Sequence, residues 1–457
     1  MLKIALISCH ASPLAIAGSL DCGGINLYVA QLACELGALG CQVDIFTRRD
    51  RLEQPHIHYW RPNVRVIHVP AGPPVPPGTH STHSTHSTHN TYGRERQAPG
   101  NAQFVDQFAR GMVGLARRQR AGYHILHAHD LPAAAVAQQV RRTLGIPYVM
   151  TLHAGTHGGM HGLAACDADE QALAAPLLAN ADRIIALCRE QRQLLQAWCG
   201  AARDHIDIVP WGFDPALLWP VRLRARAALG LDRAAFVALQ VARIAPGHGI
   251  DGALAGVAQL AAQHGVHARL LLVGAAVPDD DGGQLSSELA RLRALAQQQA
   301  VTVTFAGPQP AAALRHWYSA ADVYVATPRT TSFGVTALEA MACATPVVGS
   351  AVGGIASIVV GGETGYIVPA DDPAALAERL AWLHAHPSHA RSLGMQGWRR
   401  AHRHYTWRSV ARRITAIYAR VVAGVAAEVA ADAASQLASQ ALRHAGCAGG
   451  DHGAPPA

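Results

Sequence analysis

Short apolar runs alternate with longer stretches of helical period along almost the whole chain. Residues 3–8, 42–46, 124–128, 148–152 and 183–186 read as buried strands of a first half. Residues 236–241, 269–273, 301–305, 323–326 and 346–349 read as those of a second. Between them, residues 25–39, 102–118, 133–144, 250–263, 285–299 and 335–343 carry the period of helices. Strands with no polar face, spaced by helices, predict parallel sheets covered on both sides. The fold class expected is therefore α/β, with two doubly wound Rossmann-like domains facing a central cleft. Ligands of such sheets bind beyond the carboxyl ends of the strands, so the cleft is the place to look for chemistry.

The expected divisions are residues 1–217 for an amino-terminal domain, 218–405 for a carboxy-terminal one, 406–425 for a helix packing back across both, and 426–457 for a tail. Trp398, Tyr405, Trp407 and Tyr418 supply apolar anchors in a helical stretch over 387–425. From residue 426 the chain is rich in alanine and ends in Gly, Pro and Ala, which predicts a weak helix followed by disorder. One segment, about 73–100, departs from the rest and contains a Thr-His-Ser triplet repeat between Thr79 and His89. Histidine at every third position can bind a transition metal, but no fixed ligand geometry is encoded, and a surface-loop insertion is the favoured reading.

Composition narrows the function. Half the residues are hydrophobic and 15% are charged, which excludes wholesale disorder. The net charge of +7 is dispersed, with no basic stripe interleaved with aromatics, so nucleic acid is not expected as a partner. Anionic small molecules, or peripheral association with an anionic membrane surface, suit this mild excess better. Nine cysteines without a C-x-x-C spacing read as free thiols of a reducing compartment, and no long apolar run predicts a membrane span. A cytoplasmic location is expected.

Three places carry more than a generic α/β chain needs. Asp21-Cys22-Gly23-Gly24-Ile25-Asn26 follows the first strand and opens a helix; Gly23 and Gly24 allow close backbone approach, and a helix start presents N–H groups to an anion. The same sequence is also that of an ordinary turn. Arg243, in Val241-Ala242-Arg243-Ile244-Ala245-Pro246-Gly247-His248-Gly249, emerges where a strand ends, and its planar fork suits a pyrophosphate as well as a plain surface turn. In the run from Ala326 to Cys343 a strand ends, a helix begins near Phe333-Gly334, and Glu339 falls among Ala, Leu and Met. A carboxylate in such surroundings needs a partner. The vicinal hydroxyls of a ribose would serve; so would solvent or a neighbouring backbone group. The run Asp279-Asp280-Asp281 is flanked by glycine and reads as a solvated turn rather than a metal motif.

In order and spacing these segments resemble the family-4 retaining glycosyltransferases with the GT-B fold, of the sucrose-phosphate-synthase and mycothiol-glycosyltransferase type. Supporting stretches are Gly23-Gly24-Ile25-Asn26-Leu27-Tyr28-Val29, Asp44-Ile45-Phe46-Thr47-Arg48, His127-Ala128-His129-Asp130, Ala181-Asp182-Arg183-Ile184-Ile185-Ala186, Val209-Pro210-Trp211-Gly212-Phe213-Asp214, Ala320-Ala321-Asp322-Val323 and Thr345-Pro346-Val347-Val348, followed by Val352-Gly353-Gly354-Ile355. The resemblance spans residues 3 to about 407.

It implies transfer of a sugar from a nucleotide-sugar donor to an acceptor that the sequence does not name, with retained configuration and no metal or other cofactor. It assigns Arg243 to the phosphates, Glu339 to the ribose, and the backbone of Phe333, Gly334 and Val335 to the diphosphate. His153, in Thr151-Leu152-His153, matches a histidine near the donor sugar. Two positions depart from the pattern. The family's first motif glutamate falls at Thr331, and its phosphate-binding lysine at His248. Thr331 offers a hydrogen bond without charge, and His248 is cationic only beside a phosphate. Catalytic roles are therefore expected for Arg243, His153 and His248, with donor contacts from Gly23, Gly24, Thr331, Phe333, Gly334, Val335 and Glu339. A catalytically degenerate homologue that binds a nucleotide, sugar or partner protein is the alternative expectation.

Overall fold

The computed structural model describes residues 1–14, 24–72, 100–119, 122–153, 168–200, 203–276 and 287–447. The first half runs β1 (Lys3–Ile7), α1 (Gly24–Ala38), β2 (Gln42–Arg48), β3 (Ile57–Arg61), β4 (Val64–Val69), α2 (Gly100–Arg118), β5 (Ile125–His129), α3 (Leu131–Leu144), β6 (Tyr148–Thr151), α4 (Ala168–Ala179), β7 (Arg183–Ala186), α5 (Arg189–Cys199) and β8 (Ile206–Ile208). Its strands form one sheet in the order β3-β4-β2-β1-β5-β6-β7-β8, parallel except where β3 lies antiparallel on β4.

The second half continues α6 (Arg222–Ala228), β9 (Phe236–Val241), α7 (Ile250–His264), β10 (Ala268–Val273), α8 (Ser287–Gln298), β11 (Val303–Phe305), α9 (Ala311–Ala320), β12 (Val323–Ala326), α10 (Val335–Ala342), β13 (Val347–Ser350), α11 (Ile355–Ile358), β14 (Gly365–Val368), α12 (Pro373–Ala385), α13 (Pro387–His404) and α14 (Trp407–Cys447). Its sheet has the order β11-β10-β9-β12-β13-β14, all parallel. The chain thus winds outward from β9 in one direction and from β12 in the other, and the order reverses between these two neighbours.

The buried strands are apolar because both faces of each sheet are covered, as in the fully buried Val325, Leu270 and Leu272. One face of each sheet has its own apolar cluster. The other faces join in a single cluster that passes through Trp211, Trp407, Ile414 and Tyr418. The two domains are therefore held by an apolar seam as well as by chain connection. Helix α14 packs on α1, and Phe213 pairs with Thr406 in an isolated bridge between the segment linking the domains and the turn before α14.

Predicted strands and helices recur within a few residues of their expected ends, and the α/β class with two Rossmann-like sheets stands. Strands β3, β4, β8 and β14 are additions to that expectation. The β3–β4 hairpin turns at Asn63, whose φ of 62° is the left-handed conformation asparagine tolerates. The weak tail helix is an unbroken part of α14, which runs on to Cys447. Gly23, the whole of the histidine repeat and the 279–281 acidic run lie outside the described residues.

Candidate functional site

The switch in strand order puts the loops after β9 and β12 side by side at the carboxyl edge of the second sheet. That is where an open α/β sheet leaves a crevice, because its helices depart to opposite faces there. Arg243 follows β9, and residues 327–334 follow β12. The two loops touch through backbone: Thr327 Oγ1 donates to the Gly249 carbonyl at 2.8 Å, and a Cβ on Gly249 would sit 1.7 Å from the Thr327 oxygen. With φ of 74° as well, position 249 accepts only glycine without rearrangement.

Arg243 reaches solvent, yet protein around its guanidinium is close enough that desolvation lowers its pKa from the ordinary arginine value. An arginine remains cationic all the same. His248 is half-buried on the same loop, and its main chain is fixed by Gln240 Nε2, which donates to the His248 carbonyl at 3.0 Å. Burial first, then the Arg243 charge, push its imidazole down to about 4. In the free protein His248 is therefore neutral at pH 7, and the loop carries one cation where the resemblance implies two.

After β12 the chain passes Thr331 and Ser332 and enters α10 at Gly334, with φ of 83°. Phe333 is buried beneath this turn, while Thr331, Gly334 and Val335 are half-exposed. The loop after β13 seals its underside: a Cβ on Gly353 would lie 1.9 Å from the Thr331 oxygen, and one on Gly354 2.0 Å from the Phe333 oxygen. Cys188, which caps α5 of the first domain, donates its S–H to the Ser332 carbonyl at 3.5 Å. The loop is thereby held from both domains.

Glu339 lies on the second turn of α10. Its residue surface is partly open, but its carboxyl is enclosed, and burial raises its pKa to about 7 against the opposing effect of a hydrogen bond from Tyr318. Tyr318 OH donates to Glu339 Oε2 at 2.6 Å. The required partner is thus partly a tyrosine of α9, a possibility sequence reasoning did not identify. Tyr324 OH donates to the Val241 carbonyl at 3.2 Å and its ring lies tilted against that of Tyr318, with centroids 5.7 Å apart, so a tyrosine pair connects the Glu339 helix with the Arg243 strand.

In the first sheet the corresponding edge carries histidines. His153 follows β6 and is buried; its N–H donates to Asp130 Oδ1 at 3.0 Å, and its Nε2 lies 3.0 Å from His129 Nδ1. Alternation along β5 puts His127 and His129 on one face. His127 bonds Thr151 Oγ1 at 2.8 Å and Tyr418 OH of α14 at 2.6 Å. Burial holds His127 and His153 near 3 and His129 well below its ordinary value. All three are neutral, so His153 presents an uncharged imidazole to its surroundings. Asp130 has φ of 72°, a strained conformation for a non-glycine residue, at the point where β5 hands over to α3. Gly24 opens α1 exposed, beside the Trp211 ring.

The structure thus brings Arg243, His248, Thr331, Phe333, Gly334, Val335 and Glu339 to one sheet edge, and places His153 and Gly24 on the other domain. Sequence reading missed Tyr318, Cys188 and the link from His127 to Tyr418. The repeated His-x-His of β5 was the available signal for the last. Among the described residues no group of three or more His, Cys, Asp or Glu side chains is arranged to hold a metal ion, and no helix is long and apolar enough to cross a membrane.

Comparison with known proteins agrees with this geometry. Residues 23–212 match the family described as glycosyl transferase 4-like domain, and residues 221–400 match glycosyl transferases group 1. The D-inositol 3-phosphate glycosyltransferase of Acidothermus cellulolyticus is 34% identical, over 83% of this chain and 82% of that protein. One from Catenulispora acidiphila is also 34% identical, over 91% and 95% respectively. Among solved structures, sucrose-phosphate synthase from Thermosynechococcus elongatus is similar with a TM-score of 0.75 and 30% identity, covering 93% of this chain and all of that one. With both halves matched and relatives of this identity spanning most of its length, the chain belongs to the group 1 glycosyltransferases and is a transferase of the GT-B fold.

Proposed function

We propose that the protein moves a sugar from a nucleoside-diphosphate sugar to a phosphorylated polyhydroxy acceptor, with retention and without a metal cofactor. The observation that carries this reading is the meeting of Arg243, the start of α10 and Glu339 at the strand-order switch of the second sheet. A guanidinium and free helix-start N–H groups suit a diphosphate, and a carboxyl one turn further along α10 suits ribose hydroxyls. The acceptor class is supported by the names of two relatives, one acting on D-inositol 3-phosphate and one making sucrose phosphate. The free thiols Cys9, Cys34, Cys41, Cys188 and Cys343 support a reducing, cytoplasmic setting.

In the proposed step the bond from the anomeric carbon to the diphosphate oxygen breaks while a bond to an acceptor hydroxyl oxygen forms on the same face. The departing phosphate takes the hydroxyl proton. Charge grows on that phosphate, so Arg243 does most there, with His248 assisting once the phosphate has raised its pKa. His153 borders the cleft from the first domain and shapes the sugar subsite as a neutral imidazole.

The test is transfer from uridine, guanosine and adenosine diphosphate sugars to inositol 3-phosphate, with the product's anomeric configuration read by NMR and with a chelator present. Arg243→Ala is expected to lower turnover by about a hundred- to a thousand-fold. Near-normal turnover in that variant would remove the phosphate role, and an inverted product would remove retention.

A further inference from the structure

A cavity of ≈ 740 Å³ opens between the domains against Phe333 and Gly353, with neither Arg243 nor Glu339 in its lining. The first domain contributes the start of α5, with Cys188, Arg189 and Glu190. The second contributes Arg400 and His404 of α13 and Arg413 of α14, over a floor that includes Phe333 and Gly353. Its charge is uneven: three arginines and a histidine face one carboxylate, Glu190. None of Arg189, Arg400 and Arg413 forms an ion pair with a carboxylate among the described residues. Arg400 is instead held by neutral acceptors, donating through Nε to the Ile358 carbonyl at 2.9 Å and through a terminal nitrogen to the Ser357 carbonyl at 3.3 Å.

Several arginines elsewhere among the described residues are neutralised by carboxylates. Asp322 receives both Arg222 and Arg226, and Asp207 receives Arg183 and Arg420. The three arginines of the cavity have no such carboxylate partner among the described residues. Burial first, then Arg400, Arg403 and Arg413 acting as like charges, lower the His404 pKa. Cations drawn from both domains into one crevice, with the positive end of α5 opening on it, repel one another unless an anion joins them.

We propose that this cavity is an anion site for a phosphomonoester, separate from the donor site, in which Arg189 of the first domain and Arg400 and Arg413 of the carboxy-terminal helices share one phosphate. A cavity of this size leaves room for the organic part of the ester against the apolar floor. The ligand joins the two domains, and its floor is the underside of the donor loop, since Phe333 and Gly353 serve both. The inference does not rest on the identity of the donor, only on the position of the cavity.

The experiment is calorimetric titration of the full chain at low ionic strength with two probes, inorganic phosphate and glucose 6-phosphate. It is repeated with the double variant Arg189→Gln/Arg413→Gln and with Arg243→Ala. Both altered residues of the double variant are exposed and unpaired, so its melting temperature should equal that of the unaltered protein. Binding of glucose 6-phosphate is expected, weakened at least about ten-fold in the double variant and unchanged in Arg243→Ala. Binding of inorganic phosphate alone, with the same variant pattern, would keep the anion site and overturn the phosphomonoester. Equal affinity in the double variant, loss in Arg243→Ala, or no binding of either probe would overturn the site itself. Failure of the transferase assay would leave this titration unaffected, so the two readings fall separately.

Discussion

Thr331 and His248 are the residues at which this chain departs from the pattern it otherwise resembles, and the structure gives each a distinct consequence. Thr331 sits half-exposed on a loop whose backbone is fixed from below by Gly353. Its hydroxyl can meet a sugar hydroxyl, but it lacks the charge of a carboxylate. A hydrogen bond to a charged group contributes about 1.5–3 kcal/mol, which is roughly ten- to a hundred-fold in rate. Thr331→Glu is therefore expected to raise kcat by at least about ten-fold on the preferred donor; an unchanged kcat would show that no carboxylate is missing there. His248 is neutral in the free protein because burial and Arg243 hold it near 4. A bound diphosphate reverses the sign of its surroundings and raises that value. Donor binding near pH 6.5 should take up part of a proton, visible as a binding enthalpy that changes with the buffer's ionisation enthalpy and no longer does so in His248→Gln. Equal enthalpies in all buffers would leave His248 neutral in the complex.

At the scale of elements, the site exists because two loops from adjacent strands can approach through backbone alone. Gly249 is the point of contact, with the Thr327 oxygen where a side chain would begin. Gly249→Ala should move the 327–334 loop, weaken donor binding by more than about ten-fold and destabilise the protein by a few kcal/mol, since it combines a clash with an unfavourable φ. Measured melting temperature and donor affinity check both parts; an unperturbed variant would mean that the two loops are not packed as described. The apolar periods of β9, β10 and β12 were legible in the sequence because fully buried parallel strands need apolar residues on both faces. The β3–β4 edge was not legible, as β3 is short, partly polar and half-exposed, and β4, although mostly buried, is interrupted by Arg65 and His68.

For the whole molecule, the buried groups at the seam set its response to pH. His127, His129 and His153 are neutral when folded, whereas an unfolded chain protonates them below about 6.5. The unfolded state then binds more protons than the folded one, so their contribution to stability is present above that value and is lost as pH falls. By pH 5 the loss is on the order of 1–2 kcal/mol per histidine. Glu339, raised to about 7, has the opposite slope between about 4.5 and 7, because the unfolded carboxyl ionises first. Three imidazoles outweigh one carboxyl, and the melting temperature should drop by several degrees from pH 7 to pH 5. A flat profile in scanning calorimetry would contradict neutral burial of the histidines.

The amino-acid order alone determined the α/β class, most strands and helices, and the candidate residues Arg243, Thr331, Phe333, Gly334 and Glu339, because periodicity and turn residues act over a few neighbours. What it did not contain was partnership. Tyr418 looked like one more apolar anchor of a helix, yet its hydroxyl meets His127, 291 positions away. Glu339 called for a partner that only the packing of α9 against α10 supplied, in Tyr318. The cation-lined cavity likewise needs α5, α13 and α14 in one place. Which helix lies over which strand end is set by crossover connections and by burial of faces over the whole chain, and groups far apart in sequence meet only after that choice has been made.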